Sequence, residues 1–358
     1  MNEQEKYDWM VYVSCMTYNH APYIVDAMNG FTMQETNFPF VCAVVDDAST
    51  DGEQEVIKSY LDEHFDLEDK NVVRHEETDD YVLTFARHKT NKNCYFAVLY
   101  LKYNHYSIKK PRPYLAQWRE EAKYIAICEG DDMWLAPDKL QKQFDFLEVH
   151  PNYSCCYTKY YTFSQELGRC VGALGEEYKD IYDMLWGDVS IATCSLFYRM
   201  SLLNDYIKDI KPASQNWLMG DKPLFLYLGY RGITKLIPEY MVRYRILKNS
   251  ASHSSSIDLQ LKRARNTIDI YHYFVNKYFP NNKELSLKVE GGYLYRAYLI
   301  YKKNKVEYPL DLRKKIWRYN GKYYKLYAVK LFLLLPLVEK MIYGLLRILY
   351  VLKMKLAR

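Results

Sequence analysis

The sequence predicts an α/β fold, with a Rossmann-like, mostly parallel sheet flanked by helices and a helical extension at the C-terminal end. Two observations predict the sheet. Short apolar runs alternate with helix-periodic segments through the first half of the chain, and two of these runs end abruptly in acidic pairs. Beyond residue 250 the periodic segments have helical spacing, which predicts the extension.

Strands are predicted where runs rich in Val, Ile, Cys and Tyr end at turn-forming or acidic residues. The runs before the two acidic pairs are continuously apolar, which is typical of strands covered on both faces. In chain order the predicted strands are Met10–Met16, Phe40–Val45, Asn71–Arg74, Tyr124–Cys128, Ser154–Phe163, Thr193–Tyr198 and Tyr240–Ile246.

Helices are predicted where apolar residues recur at helical spacing after a start signal. Pro137 opens one such helix, and Asp138 places a favourable negative charge in its first turn. The predicted helices are Tyr23–Met33, Glu53–Glu63, Pro137–Val149, Trp217–Tyr230, Leu259–Phe279 and Gly291–Lys303.

Three segments are predicted: a catalytic or binding domain over 1–250, a helical extension over 251–325, and a basic amphipathic tail over 326–358. A serine-rich stretch, 250–256, marks the first boundary. The tail is apolar over 331–352 but contains charged residues and a proline, and each charge costs about 2.5–3.5 kcal/mol near a bilayer centre. The sequence therefore favours a helix lying in the membrane interface. A helix packed on protein remains the alternative.

Composition excludes several classes of protein. The net charge of +5 comes without a nucleic-acid-binding motif, so no nucleic-acid partner is expected. The eight cysteines form no C-x-x-C pair and are interpreted as free thiols of a reducing compartment. The first nine residues lack the apolar core of a signal peptide. We expect a cytoplasmic protein held peripherally at the inner face of the cell membrane.

The two acidic pairs are the strongest candidates for a functional site. Asp46 and Asp47 end one predicted strand, and Asp131 and Asp132 follow another. Ligands of open α/β sheets bind at the carboxyl ends of the strands. Asp47 could accept a hydrogen bond from the imide N–H of a uracil. Carboxylates also suit Mg²⁺ or Mn²⁺ beside a diphosphate, and Asp132 is predicted as the metal ligand. The alternative for both pairs is helix capping by turn residues.

Three motifs, in this order and spacing, resemble the family 2 glycosyltransferases. The match is specific over about residues 10–160 and looser to about residue 250. The motifs are Val13–His20, Val45–Gly52 and Cys128–Trp134, the last followed by Pro137–Leu140.

The resemblance implies an inverting transferase with a GT-A type fold, a nucleotide-diphospho-sugar donor, with a UDP-sugar favoured, and a divalent metal. Tyr18 would flank the base and Asp47 would bind it. Asp131 and Asp132 would form the acidic metal motif. The residues expected to contact the donor are Thr17, Tyr18, Asn19, Asp46, Asp47, Glu129, Asp131 and Arg245.

Three later residues complete the predicted site. An inverting transfer needs a general base, and relatives carry an acid where Asp221 precedes a late helix. Asp221 could instead only cap that helix. Arg245 and His253 adjoin the serine-rich stretch and are expected to close over the diphosphate, with His253 as a second metal ligand.

The chain departs from the family at two points. An Ala-Arg-Asn segment of many relatives is matched only loosely, by Phe85–His88. The Gln-x-x-Arg-Trp signature of processive synthases is missing, which favours transfer of one sugar to a glycan or a lipid-linked oligosaccharide. Two alternatives remain open. A sugar nucleotidyltransferase would need a glycine-rich loop after the first strand, where residues 16–22 contain no glycine. An inactive scaffold at a membrane would keep the fold without catalysis.

Overall fold

The computed structural model describes residues 7–106, 108, 112–187, 189–248, 256–321, 325–330 and 333. The chain divides into two compact units, Met1–His253 and Ser254–Arg358. This division lies close to the boundary expected from the serine-rich stretch. Most of the segment 326–358, predicted as a membrane-associated tail, lies outside the described residues.

The strands of the first unit are β1 (Trp9–Thr17), β2 (Phe40–Asp46), β3 (Phe65–Asp66), β4 (Arg74–Glu77), β5 (Tyr81–His88), β6 (Cys94–Leu101), β7 (Ala122–Ile127), β8 (Met133–Trp134), β9 (Tyr153–Ser164), β10 (Arg169–Leu174), β11 (Phe197–Arg199) and β12 (Ile233–Ile246). Its helices are α1 (Ile24–Thr32), α2 (Glu53–His64), α3 (Ala116–Glu120), α4 (Lys139–Val149), α5 (Ile181–Gly187), α6 (Met200–Ile210) and α7 (Asp221–Arg231).

One sheet organises the first unit, in the order β3-β5-β6-β2-β1-β7-β11-β9-β12-β8, with β4 beside β5 and β10 beside β9. The central strands β6, β2, β1 and β7 are parallel, and so are β9 and β12. The remaining pairs, at both flanks, are antiparallel. The predicted α/β fold class is confirmed, and its parallel centre is the part that places the acidic strand ends together.

Burial explains why the centre of the sheet is parallel. Every residue of β2 is buried, as expected for a strand with helices on both faces. Helix α1 covers one face with an apolar stripe at helical spacing, formed by Ile24, Ala27, Met28 and Phe31. Each of these four side chains is fully buried.

Several predicted bounds are wrong. The strand expected at Asn71–Arg74 is β4, which begins at Arg74 and is exposed throughout. The strand expected at Tyr240–Ile246 is only the last part of β12. The helix expected from Trp217 begins at Asp221, and Pro223 fits its first turn because N–H groups there have no helical partner. The predicted strand at 193–198 opens with a 3-10 turn before β11.

The antiparallel pair β5 and β6 was not predicted from the sequence. Its β6 strand is buried and joins the sheet beside β2, with Asp46 opposite Tyr100. Strand β5 contains Phe85–His88, the segment that matches the family only loosely. Because β5 runs antiparallel, Arg87 lies opposite Tyr95, far along β6 from the edge where the acidic pairs end. Arg87 instead forms an ion pair with Asp69 at 3.3 Å.

The second unit is helical, with α8 (Ile257–Tyr278), α9 (Lys283–Lys303), α10 (Leu310–Arg318) and a further helical segment over 325–330. Helix α9 begins before the predicted Gly291 because the Asn282 side chain accepts a hydrogen bond from the Leu285 N–H and caps it. The core of the second unit contains Leu294, Tyr298 and Ile316. Within the described residues, no helix combines the length and apolar character needed to cross a bilayer.

Candidate active site

The two acidic strand ends lie on either side of β1. Strand β2 pairs with β1 so that Asp46 lies opposite Thr17, and the Asp47 N–H then donates to the Thr17 carbonyl at 3.0 Å. On the other side of β1, the Gly130 N–H donates to the Met16 carbonyl at 3.0 Å. Two strand spacings separate the ends, about 10 Å. The structure therefore brings Asp47 and the Glu129–Asp132 segment to one edge of the sheet. We call residues 46–53 the first acidic loop and residues 129–132 the second acidic loop.

The first acidic loop is joined to the loop after β1 by reciprocal hydrogen bonds. The Asn19 N–H donates to Ser49 Oγ at 2.8 Å, and Asn19 Oδ1 accepts from the Thr50 N–H at 2.8 Å. Asp51 Oδ2 accepts from the Ala21 N–H at 3.0 Å. Asn19 and Ala48 both have left-handed backbones, with φ of 58° and 60°. Strained residues of this kind persist where their surroundings hold them, and both lie at this site.

Glu53 is a candidate site residue that sequence reasoning missed. It is fully buried at the start of α2 and accepts three hydrogen bonds from two loops. Thr17 Oγ1 donates to Oε1, while the His20 N–H and the Ser49 hydroxyl donate to Oε2 at 2.9 and 2.8 Å. An acid in the first turn of a helix is a favourable helix charge, so its sequence position gave no signal of this role.

Asp46 and Asp47 have different environments. Asp46 is fully buried and accepts from the Ser49 N–H at 3.2 Å and from Gln54 Nε2 at 2.5 Å. In this arrangement Asp46 has no surface for a ligand. Asp47 retains some exposed surface and accepts from the His105 N–H at 2.6 Å. Of the two, only Asp47 is placed to contact a base.

His105 belongs to a buried support for Asp47 that follows β6. Its ring is 1% exposed, stacks on Tyr103 at 4.4 Å and contacts the Tyr103 carbonyl through Nδ1 at 2.7 Å. The hydroxyl groups of Tyr103 and Tyr114 donate to the two oxygens of Asp80 at 2.6 and 2.5 Å. This network fixes the segment whose backbone holds Asp47. No local motif marks His105 in the sequence.

The second acidic loop concentrates negative charge. Asp132 is 2% exposed, and burial, followed by the charges of Asp131 and Glu129, raises its pKa well above the ordinary value. Glu129 keeps some exposed surface, yet loss of water and then the charges of Asp131 and Asp221 raise its pKa to about 7. Gly130 is required here because a Cβ atom would overlap the Thr17 side chain.

Arg245 lies against the inner side of this loop. Its backbone N–H donates to Asp132 Oδ1 at 2.8 Å, and its Nε donates to the Asp131 carbonyl at 2.7 Å. The rest of its guanidinium donates to Gln165 Oε1 and Asp26 Oδ2, both at 2.7 Å. The Arg245 side chain is buried, and all three of its nitrogens donate hydrogen bonds within the protein. Arg245 therefore holds the second acidic loop and has no accessible N–H group for a diphosphate.

A buried lysine lies behind the same loop. Lys139 is fully buried, donates to Gln143 Oε1 at 2.7 Å and lies 4.1 Å over the Trp134 ring. Burial lowers the pKa of Lys139 to about 8, with the nearby thiols raising it. The Trp134 Nε1–H donates to the Cys194 carbonyl at 2.8 Å, which links the lysine to the wall behind Asp132.

Among the described residues, no three or more His, Cys, Asp or Glu side chains are arranged to hold a metal ion by themselves. His253, the predicted second metal ligand, lies outside the described residues. The second acidic loop nevertheless fits a hard divalent ion. Its carboxylates are oxygen donors, and burial, followed by the charges of neighbouring carboxylates, raises the pKa values of Glu129 and Asp132. A cation that shares its coordination with a diphosphate would need only one or two of them.

Asp221 is the first residue of α7, and its Oδ1 accepts from the Lys222 N–H at 2.7 Å. Gly220 occupies the N-cap position of α7 and no side chain caps the helix, so the capping role expected as the alternative is not seen. The carboxylate is also close enough to Glu129 for its charge to raise the pKa of Glu129. The structure thus brings Asp221 within electrostatic range of the second acidic loop.

No protein-family model matches the chain. Two curated relatives are the uncharacterized proteins Mb1547 of Mycobacterium bovis and Rv1520 of Mycobacterium tuberculosis. Each is 27% identical over 259 residues, which cover 68% of this chain and 60% of the relative. The chain therefore spans less than two thirds of the length of these relatives.

Two solved structures share part of the architecture. Staphylococcus aureus TarS 1-349 in complex with UDP-GlcNAc is 15% identical, with a TM-score of 0.46 over 80% of this chain and 81% of that one. The mannosyltransferase PcManGT from Pyrobaculum calidifontis, in complex with GDP-Man and Mn²⁺, is 15% identical, with a TM-score of 0.48 over 92% and 81%. These identities and scores are too low to assign the chain to a family.

Proposed function

We propose that the chain is a metal-dependent, inverting glycosyltransferase that moves one sugar from a nucleotide-diphospho-sugar to a hydroxyl acceptor. One observation carries the proposal. Two carboxylate-bearing loops follow the parallel strands on either side of β1 and are both hydrogen-bonded to its last residues, Met16 and Thr17. A base at one loop and a diphosphate at the other fit the separation of about 10 Å. The resemblance of both loops to the family 2 motifs supports the same proposal.

Donor recognition falls to the first acidic loop and the loop after β1. The Asp47 carboxylate, on a side chain that is 8% exposed, accepts the imide N–H of the base, which favours a UDP-sugar. The Tyr18 ring is 44% exposed beside it and offers a face for the base. Thr17 and Asn19 position the first acidic loop and do not contact the donor themselves. The Thr17 hydroxyl donates a hydrogen bond to Glu53, and Asn19 Oδ1 accepts one from the Thr50 N–H.

Asp131 and Asp132 would hold Mg²⁺ or Mn²⁺. When bound, the ion neutralises the diphosphate and stabilises the charge that develops on it as a leaving group. Asp131 is the more exposed of the two, whereas Asp132 already accepts from Arg245. We therefore assign Arg245 to positioning this pair instead of to the donor. His253 remains a predicted further ligand.

Asp221 takes the proton of the acceptor hydroxyl. The acceptor oxygen forms a bond to the anomeric carbon, the bond from that carbon to the diphosphate oxygen breaks, and the electron pair leaves with the nucleoside diphosphate. Attack opposite the leaving group inverts the anomeric centre, and no covalent enzyme intermediate is needed. The influence of Asp221 on the pKa of Glu129 supports this place for the base.

The proposed acceptor is a glycan or a lipid-linked oligosaccharide in surface polysaccharide synthesis. The proposed location is the cytoplasmic side of the cell membrane, with peripheral attachment. The basic and apolar composition of residues 326–358 supports attachment. The missing processive signature supports transfer of a single sugar.

Product analysis with a set of nucleotide sugars and Mn²⁺ tests the proposal. Release of nucleoside diphosphate, by hydrolysis or transfer, is the expected result. Release of pyrophosphate from a nucleoside triphosphate and a sugar phosphate would instead identify a nucleotidyltransferase. Turnover of no donor, with or without Mn²⁺, would identify a scaffold that keeps the fold without the chemistry.

A further inference from the structure

The outer face of strands β9 and β12 carries an unusual set of side chains. Residues alternate between the two faces of a strand, and Thr158, Tyr160 and Val242 point into the core. The residues between them lie on the opposite face and are partly exposed. We call five of these residues the outer strip: Lys159, Tyr161, Phe163, Tyr240 and Arg243.

Aromatic rings and cations alternate along the outer strip. Tyr161 and Tyr240 are stacked with centroids 4.6 Å apart, and Lys159 Nζ lies 5.5 Å from the Tyr240 centroid. Farther along, the Arg243 guanidinium lies 5.2 Å from the Phe163 centroid. Each cation is therefore held in place by a ring rather than by an acid.

The positive charge of the outer strip is not balanced by the protein. Among the described residues, neither Lys159 nor Arg243 has an ion-pair partner. Among nearby acids, Glu239 pairs with Lys142 at 2.6 Å and Glu177 pairs with Lys235 at 3.0 Å, while Glu176 accepts from the Tyr178 hydroxyl at 3.0 Å. Arg243 Nε is also buried without a hydrogen-bond partner in this part of the chain. Two cations are thus left for an external anion.

The outer strip leads to the proposed active site. Phe163 also contacts the Arg245 guanidinium, 5.7 Å from its ring centroid, and Arg245 Nε donates to the Asp131 carbonyl. Strands β9 and β12 are parallel and end at the same edge as β1, β2 and β7. From Phe163 to Lys159 the strip runs about 13 Å away from that edge, which is longer than one sugar ring.

We propose that the outer strip binds an acceptor saccharide that carries anionic groups, phosphate or carboxylate. Lys159 and Arg243 give the outer strip a positive charge, which favours an anionic ligand. The aromatic surface and the hydroxyl groups of Tyr161 and Tyr240, which have no hydrogen-bond partner among the described residues, fit the C–H faces and hydroxyl groups of a sugar. This inference rests on the proposed function, since it names the acceptor class of the same site.

Calorimetric titration of the full chain with oligogalacturonate, a neutral maltooligosaccharide of equal length and a polyglutamate of equal charge tests the inference. The wild-type chain is expected to bind oligogalacturonate about tenfold more tightly than either other probe. The double variant Lys159→Gln/Arg243→Gln is expected to lose about tenfold in that affinity. Tyr240→Leu, at an exposed position, is expected to lose about threefold without a change in melting temperature.

The matched control is Lys142→Gln/Lys235→Gln, which removes the same charge from two cations that are already paired. It is expected to bind oligogalacturonate like the wild type. Equal affinity for the neutral probe or for polyglutamate, or unchanged binding by the outer-strip variants, would overturn the inference. Binding of UDP with Mn²⁺ is measured on the same wild-type preparation. A chain that binds oligogalacturonate through the strip but binds no nucleotide contradicts only the proposed function.

Discussion

The two acidic loops have similar composition but opposite electrostatic states. In the first acidic loop every carboxylate accepts hydrogen bonds: Asp46 from Ser49 and Gln54, Asp47 from His105, Asp51 from Ala21, and Glu53 from Thr17, His20 and Ser49. In the second acidic loop burial, followed by the charges of neighbouring carboxylates, raises the pKa values of Glu129 and Asp132, although Asp132 also accepts from the Arg245 N–H.

This difference shows what each loop can do before a ligand arrives. A loop whose carboxylates accept hydrogen bonds from N–H and O–H donors is preorganised and can recognise a base without rearrangement, although Asp46 Oδ1 is buried without a partner among the described residues. Buried carboxylates that lie close to one another are stabilised by a cation that binds between them. We therefore expect substitutions in the first loop to reduce stability and affinity together. In the second loop, the loss of a charge should cost function but increase stability.

The largest expected effect belongs to an acid outside both loops. Asp221→Asn should lower the rate of transfer about 10³-fold, because a general base contributes on the order of 10²–10⁴. The affinity for UDP should change little, since neither acidic loop is altered. Initial rates and UDP titrations measure the two effects. Asp258→Asn, which removes an exposed acid from the first turn of α8, is the control and should leave the rate unchanged.

Glu53→Gln should give the next largest effect. The amide cannot accept all three hydrogen bonds, and a buried donor left unsatisfied costs about 1–3 kcal/mol. We expect the free energy of unfolding to fall by about 2 kcal/mol and the KM for the donor to rise more than kcat falls. Urea unfolding and kinetics measure these changes. Glu55→Gln, an exposed position on the same helix, should change neither; an equal loss there would refute a specific role for Glu53.

Asp131→Asn should change stability in the opposite direction from Glu53→Gln. Removing the Asp131 charge relieves the repulsion that, after burial, raises the pKa values of Glu129 and Asp132. Without metal, the free energy of unfolding should rise by about 1 kcal/mol. Asp47→Asn should show no such gain, because it weakens the bond to the His105 N–H. Destabilisation by Asp131→Asn in chelator-treated protein would contradict the account.

The smallest expected effect is the pH dependence that Lys139, which lies behind the second acidic loop, gives to the free energy of unfolding. Lys139 has a pKa of about 8 in the folded chain and an ordinary value of 10.5. Between these values the unfolded chain binds more protons, so this group makes the free energy of unfolding rise with pH. From pH 7.5 to 9 the wild type should gain about 1 kcal/mol relative to Lys139→Met. Parallel pH profiles of the two proteins would show that Lys139 does not titrate there.

Much of the fold could be predicted because its signals are local. The apolar run 40–45 and the acids after it identify β2 and the first acidic loop, and the run 124–128 does the same for β7. The antiparallel pair β5 and β6 was missed although Cys94–Leu101 is as continuously apolar as β2; its partner β5 mixes polar and apolar residues, and the pairing of the two strands has no local signature. The bounds of α7 and β12 were wrong for the same reason, since burial and pairing decide them.

The site could be predicted only in part. Asp47 and Asp131 are identified by their place after apolar strands, and the structure brings both beside β1. The roles of Glu53, His105 and Arg245 depend on contacts between residues far apart in the chain, as when Arg245 reaches back to Asp26 and Asp132. Neither residue type nor spacing reveals such contacts.

The most direct test of a shared nucleoside diphosphate is the coupling between UDP and Mn²⁺. Calorimetric titration should show that Mn²⁺ lowers the Kd of UDP at least about tenfold in the wild type. In Asp131→Asn this coupling should disappear. In Asp47→Asn the affinity for UDP should fall both with and without Mn²⁺, while the coupling between the two ligands should remain. UDP binding that is indifferent to both substitutions, or a Mn²⁺ effect that survives in Asp131→Asn, would contradict the claim that the two acidic loops bind one ligand.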